Sequence, residues 1–151
     1  MKVYLAGPMT GYPQFNLPAF EEAAKKLRAA GYDVLNPAEL DDPRIREIAL
    51  ASGDGSMTPI IKHGVTWGDF LSRDVKVIAD NGLHAVIVLP GWEKSRGARL
   101  ETFIAAMMCG LPVFTIADCD YCENGNLVLH AVGLTTLTRA WVGRDDIRFG
   151  G

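Results

Sequence analysis

Two glycine-containing segments of the sequence follow short apolar runs, at residues 7–11 and 90–98, and they are the first candidates for chemistry. Glycine allows the backbone to approach a ligand closely. The second segment leads into a helical pattern, and the free N–H groups and dipole at a helix N-terminus favour a bound anion. The residues expected to contact a ligand are Gly7, Met9, Thr10, Gly11, Gly91, Trp92, Ser95, Gly97 and Ala98.

Ser95 and the amides near Gly97 form a candidate phosphate-binding site for this reason. The structural alternative is that Ser95 only caps its helix and that the glycines only shape a turn. The local sequence is compatible with both interpretations.

Two carboxylates complete the candidate site. Glu101 lies four residues after Gly97, within the first turns of the same helix and among apolar neighbours. Its role could be structural, through a favourable interaction with the helix dipole or a part in a capping arrangement. Alternatively, it acts as a nucleophile or an acid–base group beside the ligand. Asp74 lies in the middle of another helical pattern, where a solvated helix face explains it at least as well. Periodicity does not decide either case.

These residues belong to a chain in which short apolar strands alternate with helices. The predicted strands are residues 3–6, 32–35, 84–89 and 112–116, and the predicted helices are about 18–30, 67–79 and 97–109. This alternation predicts an α/β fold, a single-domain Rossmann-like parallel sheet with helices on both faces. In such sheets ligands bind beyond the carboxyl ends of the strands, so both glycine-containing segments should meet at one edge.

We predict one domain over residues 1–151, with an excursion at residues 38–66 that could serve as a flexible lid. Hydrophobic residues make up 48% of the chain and charged residues 22%, as in ordinary globular proteins. A net charge of −3 with scattered Lys and Arg argues against a nucleic-acid polymer as partner. No apolar run is long enough for a signal peptide or a membrane span, so we expect a cytoplasmic protein without a membrane partner.

One further motif, Cys119-x-x-Cys122, is a candidate for zinc or redox chemistry. Zinc would need two more ligands, and no second close cysteine pair exists. The P-loop and G-x-G-x-x-G patterns of ATP and dinucleotide sites are also absent. We therefore expect neither a metal nor another cofactor.

Several of these motifs, in order, resemble the nucleoside 2-deoxyribosyltransferase superfamily. The matching pieces are residues 4–9 with Asn16 and Phe20, residues 67–74, residues 89–92, and Ser95-x-Gly97-Ala98-x-x-Glu101. The resemblance runs from about residue 2 to residue 116. Within the superfamily the sequence looks most like a poorly characterised bacterial and phage branch, similar to the 2′-deoxynucleoside 5′-phosphate N-hydrolases.

The resemblance implies roles for three side chains. Glu101 falls on the nucleophilic glutamate that attacks C1′, Asp74 on the aspartate that protonates or holds the base, and Tyr4 on the tyrosine that orients the glutamate. It also implies a homodimer or larger oligomer and no metal or redox cofactor. Trp92 would then either stack on the base or only cover the edge of the sheet.

The residue at position 95 distinguishes two branches of that superfamily. The nucleotide hydrolases have a phosphate-binding serine at this place, as this sequence does, whereas the transferases that act on free nucleosides have an aspartate. Pro8 departs from the hydrolase pattern, which has another serine there, so Thr10 or Arg96 would have to contribute instead. The expected function is cleavage of the N-glycosidic bond of a (deoxy)nucleoside 5′-monophosphate. The alternatives are base exchange by a nucleoside 2-deoxyribosyltransferase and a non-catalytic nucleotide sensor.

Overall fold

Five strands form one sheet in the part of the chain that the computed structural model describes, residues 1–116 and 127–143. The strands are β1 (Lys2–Ala6), β2 (Asp33–Leu35), β3 (Ala85–Val88), β4 (Val113–Ile116) and β5 (Leu129–Ala131). Their order across the sheet is β2-β1-β3-β4-β5. The first four strands are parallel, and β5 runs antiparallel to β4.

Helices lie on both faces of this sheet. Among the described residues they are α1 (Leu17–Ala29), α2 (Pro43–Leu50), α3 (Thr58–Ile61), α4 (Trp67–Asp80), α5 (Arg96–Phe103) and α6 (Leu134–Val142). A π-helical turn, Ile104–Met108, continues α5, and short 3-10 turns cover Pro13–Asn16, Pro37–Glu39 and Trp92–Lys94. The predicted single-domain, Rossmann-like α/β fold is confirmed.

The side chains of β1 alternate between two layers of the core. Val3 and Leu5 pack in one buried cluster with Phe20 of α1. Tyr4 lies in the other cluster, together with Ala98 of α5. Because successive side chains of a strand point to opposite faces, β1 directs Tyr4 into the layer that also holds α4 and α5.

Helix α4 begins at a capping box. The Thr66 hydroxyl accepts a hydrogen bond from the Asp69 amide at 3.2 Å, and the Asp69 carboxylate accepts one from the Thr66 amide at 2.7 Å. These reciprocal bonds satisfy two of the free N–H groups at the helix start. They fix the beginning of the helix, and so the position of Asp74 two turns further on.

Residues 38–66, which we call the cover segment, form two helices with connecting loops over one end of the sheet. The segment is attached to the loop after β1 by main-chain hydrogen bonds, from the Gly11 amide to the Gly55 carbonyl at 3.0 Å and from the Gln14 amide to the Ser52 carbonyl at 2.7 Å. Gly55 has a φ of +66°, and a Cβ atom there would lie 2.3 Å from the Tyr12 carbonyl oxygen. Glycine is therefore required at this contact.

The structure departs from the sequence expectations mainly near the C-terminus. The predicted helix over residues 97–109 divides into α5 and the π-helical turn. Strand β5 and helix α6 lie in the C-terminal part of the sequence, for which we predicted no elements. Strand β5 has only three residues, of which one is partly buried, and so it leaves little hydrophobic pattern. Cys119 and Cys122 lie outside the described residues. None of the described helices is long and apolar enough to cross a membrane.

Candidate active site

A cavity of about 490 Å³ lies at the carboxyl ends of β1 and β3, within the range of small-molecule sites. The loops after these two strands, the N-terminus of α5, helix α4 and the cover segment line it. The candidate residues that line it are Gly7, Met9, Thr10, Asp74, Ser95, Gly97, Ala98 and Glu101. The structure thus brings these two loops and both carboxylates together.

Three of the predicted ligand contacts lie elsewhere. Gly11 binds the cover segment, and Gly91 approaches the Tyr12 hydroxyl so closely that a Cβ would lie 3.0 Å from it. Trp92 is only 2% exposed and packs in the cluster that contains Tyr4. Its indole therefore covers the sheet, as in the second of the two roles considered for it, and does not face the cavity. Glycine next to it provides the positive φ, +84°, that the turn requires.

Tyr4 binds Glu101 from the buried core of the protein. Its hydroxyl donates a hydrogen bond to Glu101 Oε1 at 3.3 Å, and Tyr4 is fully buried. Burial and then the neighbouring carboxylates of Glu101 and Asp74 raise the pKa of Tyr4 well above its usual value. The phenol stays protonated and acts as a donor, and this leaves Glu101 Oε2 for another partner.

Glu101 and Asp74 form a buried carboxyl pair. Burial raises the pKa of Glu101 to about 8 and that of Asp74 to about 6, and the charge of Asp74 adds to the rise at Glu101. Neighbouring carboxylates in a buried site do not ionise together easily. The pair therefore holds one proton near neutral pH.

Glu101 is not part of the capping arrangement of α5. Ser95 caps that helix, and its hydroxyl accepts a hydrogen bond from the Ala98 amide at 3.2 Å. A capping box would use the residue three positions after the cap, and Ala98 occupies that position. Glu101 lies one turn further on, 7% exposed, against the cavity.

Positive charge surrounds the start of α5. Lys94 and Arg96 line the cavity beside Ser95 and Gly97, and the guanidinium of Arg96 lies over the Trp67 ring, 5.0 Å from its centroid. This cation–π contact holds Arg96 at the rim. Together with the free amides of the first helical turn, these cations make this end of the cavity suitable for an anion.

Much of the remaining cavity lining is apolar. Its apolar side chains come from the loop after β1, the cover segment and α4, and they include Phe15, Ile45, Met57, Ile60, Phe70 and Leu71. An apolar surface of this kind excludes water from a planar ring and strengthens electrostatic interactions nearby.

Sequence reasoning missed Arg73 and Asp41. Arg73 pairs with Asp74 and with Asp41 of the cover segment, and all three side chains line the cavity. Arg73 could have been found because it directly precedes the candidate acid Asp74 in the sequence. Asp41 had none, because Asp41-Asp42-Pro43 has the composition of a helix start, and Asp42 is indeed the N-cap of α2.

No group of three or more His, Cys, Asp or Glu side chains suited to a metal ion occurs within residues 1–116 and 127–143. The carboxylates of the site instead pair with Arg73 and Tyr4.

The fold and the site define a Rossmann-like α/β protein with a buried carboxyl pair in a cavity that also contains the start of a helix with two cationic side chains. The chain belongs to the DUF4406 family, a domain of unknown function, whose model matches residues 1–115. The matched region contains both glycine-containing loops, Asp74 and Glu101. No curated protein and no solved structure matches the chain.

Proposed function

We propose that the protein is an enzyme that cleaves the N-glycosidic bond of a (deoxy)nucleoside 5′-monophosphate, with Glu101 as the nucleophile. The observation that carries the proposal is the buried pair of Glu101 and Asp74, hydrogen-bonded to Tyr4, at one side of a cavity whose other end suits an anion. The resemblance to the nucleoside 2-deoxyribosyltransferase superfamily supports the same assignment.

In the first step, Glu101 Oε2 attacks C1′ as the bond from C1′ to the base nitrogen breaks. The electrons of that bond move to the base, and Asp74 protonates it. A carboxylate stabilises the positive charge that develops at C1′ and then traps it as a glycosyl ester. The two carboxyl groups are close enough to raise each other's cost of ionising, so their one proton can lie on Asp74 while Glu101 attacks.

In the second step, water attacks C1′ and releases Glu101. Asp74, now a carboxylate, accepts the proton of that water, so the carboxyl pair returns to its starting charge. The products are the free base and the sugar phosphate. Tyr4 donates to Glu101 Oε1 throughout and prevents the carboxylate from rotating.

The anion-binding end favours a nucleotide over a nucleoside. The Ser95 hydroxyl accepts from the Ala98 amide and can still donate its own proton to a 5′-phosphate. The Gly97 amide and the cations of Lys94 and Arg96 lie beside it in the cavity lining. Arg96 and Thr10 line the cavity with Pro8 and can replace the hydroxyl that Pro8 lacks. The apolar part of the lining would receive the base.

A deoxyribosyltransferase shares the first step and differs only in its acceptor, which is a second base instead of water. A nucleotide sensor would need the anion-binding end and not the carboxyl pair. Retaining two buried carboxyl groups costs free energy that a sensor need not bear, so the site favours an enzyme. A homo-oligomer is part of the proposal through the same resemblance, and a cytoplasmic location is part of it through the sequence patterns described above.

The test is to incubate the purified protein with matched nucleoside and nucleotide panels and to measure free base by chromatography. We expect base release from at least one monophosphate, in proportion to enzyme concentration, with a second base as acceptor giving no increase. Exchange without net hydrolysis would identify the transferase. Tight nucleotide binding without any base release would identify the sensor.

A further inference from the structure

Arg73 has an arrangement that the proposed chemistry does not yet explain. It lies next to Asp74 in α4, and its Nε and Nη2 atoms contact Asp74 at 2.9 Å and 2.8 Å. Both contacts go to the same oxygen, Oδ1. Its third nitrogen, Nη1, pairs with Oδ1 of Asp41 in the cover segment. One guanidinium thus joins two carboxylates from different parts of the fold.

We propose that Arg73 is a positioning residue which, held by Asp41, occupies Oδ1 of Asp74 and leaves Oδ2 as the oxygen that carries the proton to the leaving base. This inference rests on the proposed function for the identity of the base. A guanidinium only donates hydrogen bonds, so an oxygen that receives two of them is a poor site for a proton. When Asp74 is protonated, its proton lies on Oδ2.

Asp41 keeps the guanidinium in this orientation. Its side chain is 6% exposed and has Arg73 as its ion-pair partner. The plane of the guanidinium is further held over the Phe70 ring, 5.4 Å from the centroid. Because Asp41 and Phe70 already fix the planar guanidinium, Arg73 loses little conformational freedom when it contacts Asp74. A lysine side chain has no such planar group.

The two partners of Asp74 act on its charge in opposite directions. Burial raises the pKa of Asp74, Arg73 opposes that rise, and Asp41 adds to it. Other charged or titratable groups also face this carboxyl or its cavity in the described part of the chain. They are Glu101 of α5, Tyr4 of β1, Tyr12 in the loop after β1, and Lys94 and Arg96 before and at the start of α5. Removing Asp41 and removing Arg73 should therefore have opposite effects.

The first experiment measures the Asp74 carboxyl directly, by ¹³C NMR titration of protein labelled at the aspartate side chains. Asp74→Asn identifies the resonance. Asp41→Asn should move its titration to lower pH by about one unit, and Arg73→Gln should move it to higher pH by about one unit. Shifts in the same direction, or no shift, would overturn the proposal. This measurement does not depend on turnover.

Arg46→Gln is the matched control. Arg46 also attaches the cover segment, through Glu21 of α1 and the Ala38 carbonyl, and it has no contact with Asp74 among the described residues. It should leave the Asp74 titration unchanged. A shift as large as that of Asp41→Asn would mean that loosening the cover segment, and not the Arg73 contact, moves the pKa.

The second experiment separates charge from orientation. Arg73→Lys keeps the charge and loses the fork, so the Asp74 titration should stay close to that of the wild type while kcat falls at least about tenfold with little change in KM. A wild-type kcat in this variant would refute the positioning role. If the wild-type protein releases no base from any substrate, the proposed function fails, and the NMR titration still decides whether Asp41 and Arg73 act on Asp74 as stated.

Discussion

At the scale of single residues, Glu101 combines burial with a free oxygen. It is 7% exposed, its Oε1 accepts from Tyr4, and it lies outside the capping arrangement of its helix. A carboxyl group that only answered a helix dipole would have no need of these surroundings. Burial of this carboxyl group costs stability whenever it is ionised, as we expect for the proposed nucleophile.

The first prediction is that Glu101→Gln abolishes turnover and retains ligand binding. Glutamine keeps the shape and can accept from Tyr4, yet its amide is a very poor nucleophile toward C1′. The loss should appear in kcat and not in affinity. Steady-state kinetics and calorimetric titration with a product nucleobase or nucleotide measure the two quantities. Turnover near the wild-type rate in this variant would rule out Glu101 as the nucleophile.

The second prediction is that the same variant is more stable than the wild type above neutral pH. Folded Glu101 keeps its proton up to a pKa of about 8, whereas an unfolded glutamate loses it near about 4.3. Between these values the folded state binds more protons than the unfolded state, so stability falls as pH rises. Glu101→Gln removes this loss and should gain about 1–3 kcal/mol at pH near 8.

The gain should disappear as the pH falls toward about 4, where the folded and unfolded glutamate are both protonated. Urea unfolding at several pH values measures it. Glu93→Gln is the control, because Glu93 is exposed and its substitution should change stability by less than about 0.5 kcal/mol at any pH. A gain of equal size at low and high pH would show that burial of a charged form is not its cause.

At the scale of elements, the start of α5 should determine whether a phosphate is accepted. The third prediction is that Ser95→Asp weakens the use of monophosphates and spares nucleosides. Aspartate caps a helix as well as serine does, so the fold is retained while the new charge repels a phosphate. Wild-type kcat/KM should favour the nucleotide at least about tenfold, since each charge-assisted hydrogen bond contributes about 1.5–3 kcal/mol.

Comparing kcat/KM for one nucleoside and its 5′-monophosphate, in wild type and variant, measures the effect. Ser95→Asn keeps the cap without the charge and should fall between the two. Equal use of both substrates by the wild type would move the protein to the deoxyribosyltransferase alternative.

The fourth prediction concerns the cover segment. Gly55→Ala should destabilise the protein by about 1–3 kcal/mol and raise KM, because the methyl group would meet the Tyr12 backbone at a positive φ. Gly53→Ala is the matched control, since a Cβ there meets no described atom within 4 Å. Thermal unfolding and KM separate the two variants. Equal behaviour would mean that the segment docks in another way.

At the scale of the whole molecule, the sequence was sufficient for the four parallel strands and the helices between them, because these elements leave local signals. It did not predict the antiparallel strand β5 or helix α6. The apolar run that contains β3 and the helical period of α4 can each be recognised from a short stretch of neighbouring residues. The meeting of Ser95, Asp74 and Glu101 at one edge followed from topology, because ligands of parallel sheets bind at the carboxyl ends of the strands.

The rest of the site depends on contacts between distant residues. Arg73 and Asp41 lie 32 positions apart and leave no periodic pattern when they pair. Trp92 has the same local sequence whether its ring faces the cavity or the core, and only the packing around it decides. Contacts of this kind follow from the assembled layers and not from any one segment.

The attachment between Gly55 and the loop after β1 has a consequence for how such a protein can diversify. At this end the cover segment is held by main-chain atoms, so the attachment needs glycine at position 55 but uses none of the side chains that line the cavity. Substitutions at Ile45, Met57 or Ile60 can therefore reshape the apolar lining without loosening that attachment. In the proposed enzyme, such substitutions would change which base is accepted, while the carboxyl pair lies on other helices and would keep its role.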